Sequence, residues 1–237
     1  DAPRPRSRGS GMRGAAALAP PLALLAACVT AEARTPVVRS LWAPFSLPAP
    51  SEPLRLITWN LGYAGLGAEA DFIAEGGRRL RPARAELVKR NADGIAARLA
   101  AEDAHVVMLQ ELAGPGLLTR NVDVAGRLAR ALPQHALAYS RDVDSRLAPF
   151  SIALDHGPGV LAAVAAETPT VIDLPDDPAR LAGVVERNYH ALSVDLDVDG
   201  RPWTLINAHL AAYERTGVRE RQLAALIAAA RRRFEEG

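Results

Sequence analysis

Val106-Val107-Met108-Leu109 is a continuous apolar run, and the polar pair Gln110-Glu111 follows it at once. An apolar run without alternation has no solvent face, and two of its four residues are β-branched. This pattern is typical of a strand that is covered on both sides of a sheet. We therefore predict that residues 106–109 form a central strand, with Glu111 directly after it.

The blocks around this strand alternate between strand and helix patterns. Residues 54–59 read as a short β run, and Asp199-Gly200 would turn the alternating stretch 192–198 into residues 203–207 as a hairpin. Two sets of apolar residues recur at helical spacing. They are Leu87, Val88, Ala92, Ile95 and Leu99 in one block, and Leu223, Leu226, Ile227, Ala230 and Phe234 in the last block. This order predicts an α/β fold.

The composition excludes several classes of protein. The 237 residues carry 28 basic and 27 acidic side chains, a formal net charge of +1, so a strongly basic nucleic-acid tail is excluded. Because 49% of the residues are apolar and 23% are charged, the chain has the composition of a folded globular protein. A single cysteine, Cys28, excludes an internal disulfide and a zinc site built from cysteines.

The N-terminal region predicts a targeting signal. Arg13 precedes the apolar run 15–27, which ends in Leu25-Ala26-Ala27-Cys28 and is shorter than the roughly 20 residues that span a bilayer. That ending resembles the lipobox of bacterial lipoproteins, which implies that Cys28 is lipidated and begins the mature protein. The alternative is a short buried helix, which Pro20-Pro21 would break.

These features divide the chain into four parts. Residues 1–11 are interpreted as an extension upstream of Met12, residues 12–28 as the signal peptide, and residues 29–53 as a Pro-rich tether. The folded domain is expected at 54–237. The implied location is the bacterial cell envelope, outside the cytoplasm, with the protein held at the membrane by its lipid.

Polar side chains stand where three predicted strands end. Asn60 closes the first strand, Glu111 follows the central strand, and His209 closes the second strand of the hairpin. Strand ends are where α/β proteins build their sites. Taken singly, each residue also fits a structural role: a turn residue, a solvated loop acid and a buried histidine.

Taken together and in order, four motifs resemble the endonuclease/exonuclease/phosphatase superfamily, the magnesium-dependent phosphodiesterases similar to pancreatic-type deoxyribonuclease. The resemblance covers residues 54–237. The motifs are Thr58-Trp59-Asn60, Leu109-Gln110-Glu111, Asn207-Ala208-His209-Leu210 and Arg219-Glu220-Arg221-Gln222. The stretches 71–77, 186–187 and 209–213 also look like a bacterial subgroup of that superfamily. The resemblance implies a four-layered α/β sandwich of two packed mixed sheets flanked by helices.

The resemblance also implies roles for these residues. Glu111 would supply the carboxylate for Mg²⁺ or Mn²⁺, and Asn60 would orient the metal shell or the attacking water. His209 would donate to a phosphate oxygen or to the leaving oxygen. Asn207 would either face the site or hold the sheet. Arg187 and Arg219 are candidate phosphate ligands.

The sequence departs from the family pattern near its end. The pattern continues into a Gly-Asp-x-Asn strand and a Ser-Asp-His motif, and neither occurs before Gly237. Asp155-His156 lies upstream of the hairpin in a predicted Gly/Pro loop and does not replace them. We therefore expect a domain truncated at its C-terminus, in which metal binds without turnover.

Two functions remain open from the sequence. The first is a lipid-anchored, metal-dependent phosphoesterase, expected to be a monomer. Its substrate would be a nucleic acid, a phospholipid head group or a sugar phosphate, which the motifs do not distinguish. The second is a non-catalytic surface lipoprotein that retains part of the fold as a binding module.

Overall fold

The computed structural model describes residues 38–40, 48–51, 53–73, 76–147, 152–176, 189–211 and 217–236. Their strands are β1 Val38–Ser40, β2 Leu56–Asn60, β3 Val106–Ala113, β4 Ala136–Ser140, β5 Val143–Leu147, β6 Ile152–Ala162, β7 Thr170–Asp173, β8 His190–Val198 and β9 Arg201–Ala208. Their α-helices are α1 Ala85–Glu102, α2 Val124–Ala131 and α3 Val218–Glu236, and a 3₁₀ turn spans Gly62–Ala64. Within these ranges, none of the helices has the length and apolar character that crossing a membrane requires.

The first sheet is mixed and has β3 in its interior. Its strand order is β1-β4-β6-β3-β2, and β5 also pairs with β6. Strand β3 runs parallel to β2 and antiparallel to β6. Val106, Val107 and Leu109 are all fully buried. The predicted central strand is therefore confirmed.

Both faces of β3 are covered, as its apolar run predicts. Val107 and Leu109 belong to a core shared with α1 and α2. Val106 and Met108 face the other way and pack in a second core with β8, the middle strand of the second sheet. Successive side chains of a strand point to opposite faces. Val107 and Leu109 therefore pack against the helices, and Val106 and Met108 pack against the second sheet.

The second sheet has the order β7-β8-β9 and is antiparallel in its described strands. Val198 pairs with Arg201 across a two-residue turn, and Asp199 and Gly200 both have positive φ, as a type I′ turn requires. The predicted hairpin is therefore confirmed. Helix α3 packs on the outer face of this sheet through a third core.

These elements form four layers: two helices, the mixed sheet, the antiparallel sheet and one helix. The predicted fold class is therefore confirmed, with the difference that the second sheet is antiparallel rather than mixed in the described residues. The predicted helix around residues 87–99 is also confirmed. In α1, the buried side chains are Val88, Ala92, Ile95, Ala96 and Leu99.

The predicted apolar face of α3 is largely wrong. Leu226 is partly buried, whereas Leu223, Ile227 and Phe234 are 50, 45 and 88% exposed, and Ala230 is also exposed. The face against the sheet instead carries Val218, Gln222 and Ala229. Helix α3 turns this face, and not the predicted apolar one, toward the sheet because Gln222 hydrogen-bonds the backbone at Ala211 and Pro175.

Two further expectations need correction. Strand β1 lies inside the predicted tether 29–53 and pairs with β4, so the first sheet includes residues before Leu54. Asp155 and His156 lie in strand β6 rather than in a Gly/Pro loop. The neighbouring glycine allows this strand to pass close to β4, because a Cβ on Gly157 would lie 2.1 Å from the Ser140 carbonyl oxygen. The predicted signal peptide 12–28, with Cys28, lies outside the described residues.

Candidate functional site

Asn60 ends strand β2 and begins a tight left-handed turn. It pairs in parallel register with Gln110 of β3, and its Oδ1 accepts a hydrogen bond from the Gly62 amide at 2.9 Å. Gly62, Tyr63 and Ala64 all have φ between 51 and 58°. The Asn60 side chain therefore fixes the turn while the residue itself remains exposed.

Glu111 lies within β3, at a bulge, rather than after the strand. The pairing of β3 with β6 shifts between Leu109 and Leu112, and Glu111 has a φ of 51°. Such a conformation costs a residue other than glycine on the order of 1–3 kcal/mol, and it is commonly retained at functional sites. The bulge redirects a carboxylate whose side chain is only 12% exposed.

His209 follows β9 directly and contacts Glu111. The distance from His209 Nε2 to Glu111 Oε1 is 3.6 Å, and the His209 side chain is 19% exposed. The structure therefore brings together an acid from the first sheet and an imidazole from the second. Asn60 stands beside them, opposite the residue that precedes Glu111.

Asn207 lies between the two sheets and is 2% exposed. Its Nδ2 donates to the carbonyl oxygens of Leu109 and Gly159, at 2.8 and 2.9 Å. Its Oδ1 accepts from Gln110 Nε2 at 2.6 Å. Of the two alternatives for Asn207, this geometry favours the one in which it holds the sheets.

Two glutamines that position the site were not singled out from the sequence. Gln110 also donates to Thr58 Oγ1 at 3.1 Å, and so links β2, β3 and Asn207. Gln222 is fully buried; its Oε1 accepts from the Ala211 amide and its Nε2 donates to the Pro175 carbonyl, each at 2.8 Å. Gln222 thereby fixes the backbone two residues after His209. The sequence did contain a signal for them, because Gln110 and Gln222 each lie within one of the four motifs of the sequence analysis.

Of the two predicted phosphate ligands, Arg219 lies within the described residues and Arg187 does not. Arg219 lies in the first turn of α3, and its Nε donates to the Ala211 carbonyl at 2.9 Å. This bond holds its guanidinium near the loop that follows His209. Arg187 lies outside the described residues, as do residues 74–75 and 212–216 of the subgroup motifs.

A buried polar cluster lies behind the Gly62–Ala64 turn. His156 Nδ1 lies 3.1 Å from Asp142 Oδ1, and its ring centroid lies 5.0 Å from that of Tyr63. Tyr139 donates its hydroxyl to Asp155, and burial together with this carboxylate raises the pKa of Tyr139 far above its usual value. The tyrosine therefore stays protonated and acts as a fixed donor.

A small cavity of about 180 Å³ opens on the other side of Tyr63. Leu66, Leu87 and Leu118 line it together with Arg79 and Arg81. Tyr63, which lines this cavity, belongs to the turn that follows Asn60.

The donors at this site suit a magnesium ion better than a metal that needs several protein ligands. No group of three or more His, Cys, Asp or Glu side chains in the described ranges is arranged to hold a metal. Glu111 and Asn60 offer one carboxylate and one amide oxygen. Mg²⁺ commonly takes one or two carboxylates and completes its shell with water and phosphate oxygens, so these residues fit it.

Comparison with protein-family models and with curated protein sequences finds no match. Among solved structures, the chain is similar to an endonuclease/exonuclease/phosphatase from Beutenbergia cavernae DSM 12333, with 22% identity and a TM-score of 0.49 over 74% of this chain and 43% of that one. It is similar to an endonuclease/exonuclease/phosphatase family protein from Leptotrichia buccalis C-1013-b, with 12% identity and a TM-score of 0.47 over 76 and 62% of the two chains. It is also similar to humanized D. rerio TDP2 carrying 14 mutations, with 16% identity and a TM-score of 0.41 over 78 and 57%. The chain spans less than two thirds of each of these structures.

Proposed function

We propose that this chain carries the site of a metal-dependent hydrolase of phosphodiester or phosphomonoester bonds, of the endonuclease/exonuclease/phosphatase type. One observation carries the proposal: Glu111 and His209, two motif residues from different sheets, lie 3.6 Å apart beside the end of β2. Their types match the chemistry, because an anionic phosphoester requires a cation and a proton donor.

Glu111 and Asn60 would hold Mg²⁺ or Mn²⁺. When bound, such an ion neutralises phosphate charge and polarises the phosphorus–oxygen bonds. Asn60 adds no charge of its own, which leaves the ion positive enough to attract the substrate. The hydrogen bond from the Gly62 amide keeps the Asn60 amide in one orientation.

His209 would donate a proton to a phosphate oxygen or to the leaving oxygen. The contact of its Nε2 with Glu111 Oε1, at 3.6 Å, would orient the imidazole ring. Gln222 holds the backbone at Ala211, after His209. Arg219, whose Nε donates to the Ala211 carbonyl, would bind phosphate. Arg187 stays a prediction for the same role.

The proposal includes the envelope location. Cys28 would carry the lipid, and the domain would act outside the cytoplasm as a monomer. Incorporation of labelled palmitate by the protein, lost in Cys28→Ala, is the expected result. A mature protein that begins at another residue would contradict it.

Hydrolysis by the full-length protein tests the main proposal. We expect Mg²⁺-dependent cleavage of bis-p-nitrophenyl phosphate, p-nitrophenyl phosphate or DNA, abolished by EDTA. His209→Ala should lower kcat by about 100-fold or more, because a positioned proton donor contributes about that factor. His105→Ala is the matched control, since the His105 side chain accepts a hydrogen bond from the Arg55 amide just before β3 begins.

Three results would contradict the proposal. They are hydrolysis that persists in EDTA, equal activity of the His209 and His105 variants, and phosphoester binding without hydrolysis of any of the three substrates. The last result would instead favour a binding module.

A further inference from the structure

Residues 71–84, part of the connection from β2 to α1, form a loop that exposes both arginines and apolar side chains. The Ile73 amide donates to the Arg79 carbonyl and the Gly77 amide donates to the Phe72 carbonyl, both at 2.8 Å. The Arg79 amide donates to the Asp71 carbonyl at 2.7 Å. These bonds hold the two arms of the loop side by side.

Gly77 allows this closure. A Cβ on Gly77 would lie 2.3 Å from the carbonyl carbon of Asp71, so a larger residue would force the arms apart. Gly77 therefore lets the arms 71–73 and 77–79 of the loop lie side by side.

Residues 71–84 contain four arginines and two acidic residues, Asp71 and Glu75, so the loop carries a net charge of +2. Four arginines occur in the seven residues 78–84. Arg79 pairs with Asp71 at 3.5 Å, and the nearby Glu69 is engaged by Arg90 and Asn91. The other three arginines make no ion pair in the described part of the chain; they are Arg78, Arg81 and Arg84.

The same loop also exposes apolar side chains. Ile73 is 52% exposed and Leu80 is 64% exposed. A single exposed apolar residue needs no explanation, but here two flank the backbone bonds that close the loop, in the same segment as Arg78, Arg81 and Arg84. A partner that matches this loop must therefore offer both negative charge and an apolar region.

We propose that the surface formed by Ile73, Arg78, Leu80, Arg81 and Arg84 docks on an anionic lipid bilayer. Each arginine near such a surface contributes about a fivefold gain in binding, and apolar side chains beside them bury at the boundary between head groups and acyl chains. A nucleic acid would satisfy the arginines alone. Leu80 and Ile73 would remain in water, and neither offers an aromatic ring for base stacking.

The cavity of about 180 Å³ is lined by Leu80 and Arg81 on one side and by Tyr63 on the other. The docked loop therefore lies next to the strand end that carries Asn60. The inference itself requires no hydrolysis.

Hydrogen–deuterium exchange of the full chain on vesicles tests the docking directly. EDTA is present, so the result is independent of any metal-dependent activity. We expect peptides covering residues 71–84 to be protected on vesicles of phosphatidylcholine with 30% phosphatidylglycerol (roughly physiological anionic content) and not on pure phosphatidylcholine. Unchanged exchange in this segment on the anionic vesicles would overturn the proposal, whatever the rest of the chain does.

Matched variants separate a bilayer from a nucleic acid. Arg78→Gln/Arg81→Gln should weaken flotation with anionic vesicles by about tenfold or more, whereas Arg231→Gln/Arg232→Gln, with the same charge change on exposed positions of α3, should not. Leu80→Ser should also weaken flotation, and the exposed Leu223→Ser should not. Loss of oligonucleotide binding in the arginine variant, with unchanged vesicle binding by both loop variants, would overturn the proposal in favour of a nucleic acid. Every variant, including the unsubstituted reference, also carries Cys28→Ala, so a lipid on Cys28 contributes to none of the measurements.

Discussion

At the scale of single residues, Glu111 combines a left-handed backbone with a largely buried carboxylate. The bulge in β3 removes this residue from the regular pairing with β6 and turns it toward His209. The strain is offset by the pairing of β3 on both sides. This arrangement explains how an acid can stand inside a central strand and still contact a residue of the other sheet.

His135 should make stability depend on pH. Burial lowers its pKa below the usual value of 6.5, against the smaller opposing effects of the Ala104 carbonyl and Asp103. The unfolded chain then binds more protons than the folded one between these two pKa values, so stability falls as the pH drops below about 6.5. We expect His135→Gln to reduce the loss of unfolding free energy between pH 7 and pH 5, measured with urea. His105→Gln should keep the loss, and an equal loss in both variants would count against this account.

The site residues were predictable as residue types at strand ends, but their contacts were not. As expected, Asn60 is the last residue of β2, and His209 directly follows β9. The contact of Glu111 with His209 depends on how two sheets pack and on a bulge, and neither leaves a periodic signal in the sequence. Gln222 was hidden because a polar residue in a helix usually faces water, whereas here it satisfies two backbone groups.

At the scale of elements, strand β6 depends on glycines. It pairs with β3, β4 and β5, and Gly157 lies where β6 approaches the end of β4. The Gly/Pro content of this stretch suggested a loop, because the sequence does not show that a neighbouring backbone occupies the space of the missing side chain.

Alanine substitutions at two glycines should therefore have opposite effects. A Cβ on Gly157 would meet the Ser140 carbonyl oxygen at 2.1 Å, so Gly157→Ala should destabilise the fold by about 1–3 kcal/mol. Gly94 lies inside α1, and beyond its own stretch of helix nothing comes within 4 Å of its Cβ position, so Gly94→Ala should stabilise by about 0.5–1 kcal/mol. Urea unfolding of both variants checks this. A Gly157 variant as stable as the unsubstituted chain would mean that β6 does not pass this close to β4.

Helix α3 shows the limit of periodicity at this scale. Helical spacing correctly indicated a helix but selected the wrong face. Two sets of residues repeat at helical spacing on α3, a larger apolar set and the set around Gln222 and Ala229. Hydrogen bonds to Ala211 and Pro175 decide between them, and these partners are distant in sequence.

At the scale of the whole molecule, the two sheets are joined by an apolar core and by one buried amide. Leu192, Val194 and Leu196 of β8 pack against β3 and β6. Asn207 crosses the same interface with hydrogen bonds to strands β3 and β6 of the first sheet. The alternation of apolar residues in β8 made the packing of two sheets predictable, whereas their relative position depends on Asn207.

Asn207→Ala should measure the contribution of the buried amide separately from that of the apolar core. It leaves two carbonyl groups and Gln110 without their buried partner, at a cost of at least about 2 kcal/mol in unfolding free energy. Thr204→Ala, on the exposed face of the same strand, should change stability by less than about 1 kcal/mol, because its bond to Asp195 is exposed. A cost at Asn207 no larger than that at Thr204 would show that the amide does not hold the sheets.

The central claim is that Glu111 holds a divalent metal at the meeting point of the two sheets. Calorimetric titration of the chain with Mn²⁺ tests it most directly, with Glu111→Gln compared against Glu86→Gln in the exposed first turn of α1. We expect Mn²⁺ to bind the unsubstituted chain and the Glu86 variant alike, and to bind Glu111→Gln more weakly by about tenfold or more, because the substitution removes the anionic ligand and keeps the side-chain shape. Equal Mn²⁺ affinity in the Glu111 and Glu86 variants would contradict the account.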